Sequence, residues 1–198
     1  NVLGQVISDN NLSQLRIAET EKYAHVTYFF DGGKDLDLKN TKRILVPSPK
    51  VSTYDLKPEM AAYEVTDKLI EELNKDYLDV VILNFANGDM VGHTGVYEAA
   101  KRAVEVIDSC MKKIYDKIVE IDGTLIVTAD HGNCDVMINE DGSPCTTHTT
   151  NKVPFVVNRK DVNLKGEGKL ADIAPTILDL LNIPIPSSIS GETLIKKS

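Results

Sequence analysis

Three stretches rich in glycine, threonine or aspartate carry three of the four histidines in this chain, and each adjoins a predicted strand. The first holds Asp89 and His93, the second Asp130 and His131, and the third His148. Carboxylate oxygen and imidazole nitrogen together suit zinc, manganese, iron or cobalt. Five such groups are too rich in oxygen for a closed structural zinc site and too many for one catalytic zinc. They indicate two divalent cations of the kind that phosphoryl-transfer enzymes use.

The second stretch follows an apolar run, residues 125–128, which is predicted to be a short, fully buried strand. Open α/β sheets place their active sites where such strands end. Gly132 lets the backbone turn so that Asp130 and His131 can reach one crevice. Taken alone, this pair is equally typical of a helix cap or a plain turn. Three such loops in one chain favour the metal site.

The elements that position these loops follow from hydrophobic periodicity. Strands are predicted at residues 14–18, 43–46, 79–85, 124–128 and 153–157, and helices at 21–30, 58–73, 96–118 and 173–181. Strands 79–85 and 124–128 are apolar throughout, as parallel strands covered on both faces must be. The amphipathic helix between them fits a right-handed βαβ crossover better than a coiled coil. The predicted fold class is α/β, a largely parallel sheet with helices on both faces.

Several boundaries rest on single residues. Thr20 is predicted to cap the helix at 21–30, although residues 26–30 would equally suit a strand. Pro58 and Asp172 are placed at the starts of two other helices, Pro58 in the first turn and Asp172 as the cap. Residues 1–13 have no clear period and are predicted to form a connecting segment.

Composition narrows the classes of partner. The chain has 198 residues and a net charge of −8, which argues against nucleic acid and anionic membranes as partners. An anionic small molecule remains compatible if divalent cations reverse the local sign of charge. The three cysteines form no CxxC pair, so a reducing, cytoplasmic setting is expected. Cys134 and Cys145 are taken as incidental to the chemistry, with a thiolate ligand as the lesser alternative.

Six segments together resemble one family. Residues 18–27, 47–51, 54–60, 84–95, 128–133 and 147–151 resemble, in the same order, the cofactor-independent (2,3-bisphosphoglycerate-independent) phosphoglycerate mutases. That family belongs to the alkaline-phosphatase-like superfamily, and the resemblance extends from about Leu15 to Ile195. It implies two divalent cations, expected to be Mn²⁺, and no organic cofactor. It also implies a phosphoglycerate substrate and a monomeric parent enzyme.

The same resemblance implies roles for individual residues. One cation would be held by Asp89, His93 and His148, and the other would involve Asp130 and His131. Lys22 would contact the substrate phosphate or stabilise charge on the transferred group, tasks that suit a flexible point charge. From the residues alone, a solvated lysine near a helix start is the simpler interpretation of Lys22. Gly88 stands where the family usually has proline, which predicts a looser loop.

Two parts of the family pattern have no match in this chain. They are the segment with the nucleophilic serine and the arginine-rich substrate domain; Ser48 and Ser52 lie in a different part of the pattern. We therefore expect residues 14–198 to be the C-terminal portion of the phosphatase domain, lacking its N-terminal strand or strands. Residues 1–13 would remain from the connection to the inserted domain. The chain alone is expected to be inactive. The alternatives are another phosphomutase or metal-dependent phosphatase of the superfamily, and a non-catalytic metal-binding or interaction module.

Overall fold

The computed structural model describes residues 2–196. Its helices are α1 (Leu3–Asp9), α2 (Thr20–Val26), α3 (Ala62–Leu73), α4 (Asn87–Gly92), α5 (Tyr97–Glu120) and α6 (Ile173–Leu180). Its strands are β1 (Gln14–Glu19), β2 (Thr41–Val46), β3 (Val80–Asn84), β4 (Ile126–Thr128) and β5 (Phe155–Val157). Short 3₁₀ turns lie at Tyr54–Leu56 and Leu170–Asp172.

The main sheet is parallel, with strand order β2–β1–β3. Ile17 in the central strand β1 is in register with Ile44 of β2 and Leu83 of β3. Every residue of β1 is buried. Helices cover both faces of this sheet, so the predicted α/β class is confirmed.

The two faces of the sheet have separate cores. One contains Leu15 and Ile17 of β1, Val65 and Leu69 of α3, and Ile114 of α5. The other contains Leu3 and Ile7 of α1, Val80 of β3, and Leu178 of α6. Along β3, Val81 and Leu83 pack against the first core, whereas Val80 and Ile82 belong to the second. Burial on both sides explains why this strand is apolar at successive positions.

The prediction for β4 is partly wrong. This strand was expected to be fully buried in the parallel sheet, but Ile126 and Val127 are only half-buried. It pairs antiparallel with β5 in a separate two-stranded sheet, with Val127 opposite Val156. Within residues 2–196, neither β3 nor β4 has a hydrogen-bonded strand along its other edge. An open edge is consistent with a sheet that lacks a strand.

Several boundaries also differ from the predictions. Residues 3–9 form helix α1, with Leu3, Val6 and Ile7 buried, where no regular element was expected. Thr20 is the first residue of α2 rather than its cap, and its Oγ1 accepts a hydrogen bond from the Ser48 amide at 3.0 Å. Helix α2 ends at Val26, four residues earlier than predicted.

The predicted starts of α3 and α6 need correction as well. Pro58 precedes α3 by four residues, because Met60 has a left-handed backbone (φ 45°) that a helix cannot continue through. Asp172 does precede α6, but its carboxylate accepts hydrogen bonds from the amides of Lys169 and Glu192 instead of capping that helix. None of the helices in residues 2–196 has both the length and the hydropathy needed to cross a bilayer.

Candidate metal site

Four of the predicted ligands and Lys22 come from loops and short helices that follow strands, whereas His148 lies in the loop that precedes β5. Lys22 lies in the first turn of α2, directly after β1. Asp89 lies in α4, which begins three residues after β3 ends, and His93 follows the last residue of α4. Asp130 and His131 lie just beyond β4. This is the edge of the sheet at which α/β proteins gather functional groups.

Three ligand atoms meet at the centre of the site. Asp89 Oδ1 lies 3.0 Å from His93 Nε2 and 2.9 Å from His148 Nε2. The two Nε2 atoms are 3.1 Å apart. An ion with metal–ligand distances of about 2.1 Å and right angles between ligands separates adjacent ligands by about 3.0 Å. The triangle therefore has the size of one face of an octahedral coordination shell.

The other predicted ligands flank this triangle. The His131 ring stacks on the His148 ring with centroids 3.7 Å apart. His131 Nε2 lies 3.9 Å from Asp89 Oδ1 and 3.7 Å from Asp130 Oδ1. The Asp130 side chain is 54% exposed, so it forms the open side of the cluster. The structure thus brings together all five residues that the sequence singled out.

The Asp89 carboxylate is held ionised by its neighbours. Burial acts to raise its pKa, but hydrogen bonds from Lys22 and Asn133 outweigh burial, so the pKa lies well below its usual value. Lys22 Nζ lies 2.5 Å from Asp89 Oδ2, and the Lys22 side chain is only 6% exposed. Lys22 is therefore a buried partner of the cluster, and its interpretation as a solvated lysine was wrong.

A backbone carbonyl fixes the orientation of His93. The His93 Nδ1 atom lies 2.7 Å from the carbonyl oxygen of Thr146, which can only accept a hydrogen bond. Nδ1 therefore carries a hydrogen, and Nε2 is the ring nitrogen directed into the triangle. An imidazole oriented in this way by its second nitrogen is the usual arrangement of a histidine that binds metal.

A second set of contacts holds two ligand-bearing loops together. The Thr149 amide donates to the carbonyl of Gly132 at 2.9 Å, which ties the His148 loop to the His131 loop. Thr149 Oγ1 also donates to Asp135 Oδ2 at 2.8 Å, and Asn151 donates to the same oxygen at 2.7 Å. Sequence reasoning missed Asp135, Thr149 and Asn133. Asn133 and Thr149 had no signal beyond their place inside motifs that were selected for histidine, and Asp135 lies just outside those motifs.

The donor set suits a divalent cation. One carboxylate oxygen and two imidazole nitrogens converge, and they leave room for further oxygen ligands on the exposed side. A group of candidate ligand atoms from Asp89, His131 and His148 also falls within 4.8 Å. This group contains no cysteine, and the Cys134 thiol donates instead to the carbonyl of Gly88 at 2.8 Å.

Comparison with known proteins finds a matching family and similar proteins over nearly the whole chain. The family model described as the Metalloenzyme superfamily matches residues 1–185. A 2,3-bisphosphoglycerate-independent phosphoglycerate mutase of Staphylococcus aureus (strain Mu50 / ATCC 700699) is 56% identical over 196 residues, which are 99% of this chain and 39% of the relative. The enzyme of the same name from Clostridium botulinum (strain ATCC 19397 / Type A) is 59% identical over 198 residues, with the same coverage.

Two solved structures have folds similar to that of this chain. A phosphoglycerate mutase of Leishmania mexicana, solved at low cobalt concentration, has a TM-score of 0.91 and 31% identity. The match covers 98% of this chain and 39% of that one. A 2-O GAG sulfatase has a TM-score of 0.60 at 12% identity over 98% of this chain and 55% of the sulfatase, which shows a shared fold alone.

The chain thus spans 39% of the length of the curated relatives it matches. Their names confirm the resemblance that the sequence motifs indicated. The family match extends from the sheet through all three loops of the site. The chain belongs to the Metalloenzyme superfamily.

Proposed function

We propose that this chain is the metal-binding part of a 2,3-bisphosphoglycerate-independent phosphoglycerate mutase. The observation that carries the proposal is the triangle of Asp89 Oδ1, His93 Nε2 and His148 Nε2, with sides of 2.9–3.1 Å. The identity of 56–59% to mutases of that name supports the choice of reaction. The parent reaction would interconvert 3-phosphoglycerate and 2-phosphoglycerate.

Each site residue has a proposed role. Asp89, His93 and His148 would hold one divalent cation, and Asp130 with His131 would contribute to the site of a second. We propose Mn²⁺ for both on the resemblance to the mutase family; the mixed oxygen and nitrogen ligands are compatible with this ion, and the ligand group contains no cysteine. Bound cations supply positive charge that lowers the pKa of a hydroxyl nucleophile and stabilises charge on a transferred phosphoryl group.

The protein's own groups prepare the site for an anion. The chain carries a net charge of −8, so a phosphate must be attracted locally rather than by the overall field. Lys22 would contact the substrate phosphate once a bound cation balances the charge of Asp89, with which the ammonium is paired in this structure. The contact between His93 Nδ1 and the Thr146 carbonyl keeps the other ring nitrogen available as a ligand.

The nucleophile would come from outside this chain. In the proposed mechanism, a serine receives the phosphoryl group and returns it after the glycerate has reoriented, but no segment here matches the motif of that serine. Ser48 and Ser52 are not proposed for this role, because they lie in a different part of the family pattern. We therefore expect the chain alone to be unable to complete the reaction.

The domain assignment is proposed on the same basis. Residues 14–198 would form the C-terminal portion of the phosphatase domain, and residues 1–13 would follow the inserted substrate domain of the relatives. The parent enzyme would act on its small-molecule substrate as a cytoplasmic monomer.

Two measurements test the proposal. Calorimetric titration with Mn²⁺ should show binding to the wild-type chain and a loss of at least about 100-fold in affinity for Asp89→Ala. Asp161→Ala is the matched control, because Asp161 is an exposed carboxylate paired with Arg159. Equal Mn²⁺ affinities for all three proteins would overturn the metal assignment. Separately, a mutase assay of the chain with Mn²⁺ and 3-phosphoglycerate should give no 2-phosphoglycerate above the buffer blank, and appreciable product would contradict the expected inactivity.

A further inference from the structure

We propose that Asn133 is a positioning residue that presents Asp89 to a cation through one oxygen only, and that Gly92 provides the space Asn133 needs. The proposal rests on the cation site proposed above and adds residues that bind no metal themselves. We therefore expect the affinity for the cation to depend on the Asn133 side-chain amide, which contacts Asp89.

The first observation is the pair of contacts that Asn133 makes. Its side chain is buried, and Nδ2 donates to Asp89 twice, to the backbone carbonyl at 3.1 Å and to Oδ1 at 2.9 Å. Oδ1 is the same oxygen that faces the Nε2 atoms of His93 and His148. Asn133 therefore holds the atom that would bind the cation.

The second observation is that the two Asp89 carboxylate oxygens have different partners. Oδ2 is occupied by the Lys22 ammonium at 2.5 Å, on the other side of the carboxylate. Asn133 and Lys22 together fix the plane of the carboxylate, so that only Oδ1 remains directed at the histidines. A carboxylate held in this way binds a cation through one oxygen rather than two.

The third observation is that Asn133 is held in this orientation at a cost. Its Oδ1 is buried and finds no hydrogen-bond partner among residues 2–196. A buried polar atom without a partner destabilises the folded state. The reverse orientation would place Oδ1 against the Asp89 oxygens, where both groups can only accept. The two hydrogen bonds from Nδ2 to Asp89 therefore determine the orientation of the Asn133 amide.

Gly92 explains how Asn133 fits beneath α4. A Cβ atom on Gly92 would lie 2.7 Å from Asn133 Cγ and even closer to its Oδ1. Gly92 has an ordinary helical backbone, so a side chain there would be unfavourable because Asn133 occupies the space, with the Cys134 Sγ atom a less severe neighbour at 3.1 Å. By contrast, a Cβ atom on Gly88, in the same helix, would meet nothing within 4 Å.

The experiment compares Mn²⁺ affinities by calorimetry in the 198-residue chain. Asn133→Ala and Gly92→Ala should each weaken Mn²⁺ binding by about 10–100-fold, the usual effect of losing a group that orients a metal ligand. The control for Asn133 is Cys134→Ser, because serine keeps a donor for the Gly88 carbonyl. The control for Gly92 is Gly88→Ala. Both controls should bind Mn²⁺ within about twofold of wild type.

Two further readouts separate positioning from damage to the fold. In the absence of metal, Asn133→Ala should melt within a few degrees of wild type, so weakened binding cannot be attributed to unfolding. With Co²⁺ in place of Mn²⁺, its visible absorption spectrum should differ from that of wild type, because Asp89 is free to bind through both oxygens. Cys134→Ser should give the wild-type spectrum.

The outcomes distinguish this inference from the proposed function. If Asp89→Ala abolishes Mn²⁺ binding while Asn133→Ala and Gly92→Ala bind as wild type does, the positioning role is wrong and the cation site stands. If wild type binds no Mn²⁺, both are overturned. An unchanged Co²⁺ spectrum in Asn133→Ala would also contradict the positioning role.

Discussion

Replacing Lys22 with methionine removes the ammonium that is paired with Asp89, a carboxylate whose charge a bound cation would also balance. The ion pair is buried, with side-chain exposures of 6% for Lys22 and 13% for Asp89. Leaving one partner of a buried pair uncompensated costs about 3–5 kcal/mol. Asp89 keeps its hydrogen bond from Asn133, so the lower end, about 3 kcal/mol, is expected. For a chain of this size, that corresponds to a melting temperature lower by about 6–12 °C.

The test compares the loss of stability in Lys22→Met with and without bound metal. Scanning calorimetry of Lys22→Met in EDTA should show the full decrease, whereas saturating Mn²⁺ should recover more than half of it, because the cation takes over the charge of Asp89. Lys152→Met is the matched control. It breaks an exposed pair with Glu167, and should cost less than about 1 kcal/mol under both conditions. An equal loss for Lys22→Met with and without Mn²⁺ would refute the idea that Lys22 and the cation share Asp89.

Two other predictions concern stability and loop contacts. Hydrogen bonds lower the pKa of Glu72 from 4.5 to about 2, and the one from Lys42 has the largest effect. This carboxylate therefore stabilises the fold above pH 4.5, and the stabilisation is lost as the pH falls towards 2. Glu72→Gln should therefore lower the free energy of unfolding by about 1–2 kcal/mol at pH 7, a figure reduced because Lys42 is half-exposed, and by little near pH 2. Urea unfolding at the two pH values measures this, and a loss that does not change with pH would contradict it. Gly132→Ala should weaken Mn²⁺ binding by about tenfold or more in calorimetry, because its Cβ would lie 2.8 Å from Asp135 Oδ1 and closer still to Thr149 Oγ1. Unchanged affinity would show that this contact between the loops does not support the site.

The sequence predicted best the elements with long or unambiguous patterns. Helix α5 repeats its apolar positions over six turns, and β3 is apolar on both faces because both cores use it. Helix α1 was missed because its buried positions, Leu3, Val6 and Ile7, span little more than one turn. So short a pattern is also common in irregular segments.

Other errors arose where a distant segment decides the local structure. An apolar run such as β4 can belong to a parallel or an antiparallel pair, and its partner β5 lies about 30 residues away. Thr20 has the side chain of a helix cap, yet its hydroxyl contacts Ser48, from a loop that follows another strand. Neither partner can be identified from local sequence.

The candidate ligands could be singled out from the sequence because the chain has only four histidines, three of them in loops beside predicted strands. All five proposed ligands meet within one cluster. The residues that orient them escaped notice, since asparagine and threonine are common in any loop. The role of Asn133 depends on its distance from Asp89, 44 positions earlier in the chain.

Anomalous scattering at the manganese edge, from crystals of this chain grown with Mn²⁺, tests the central claim most directly. The account predicts a peak within bonding distance of Asp89 Oδ1, His93 Nε2 and His148 Nε2, at about 2.1 Å from each. Manganese bound elsewhere with this triangle empty, or no ordered manganese at saturating concentration, would contradict it.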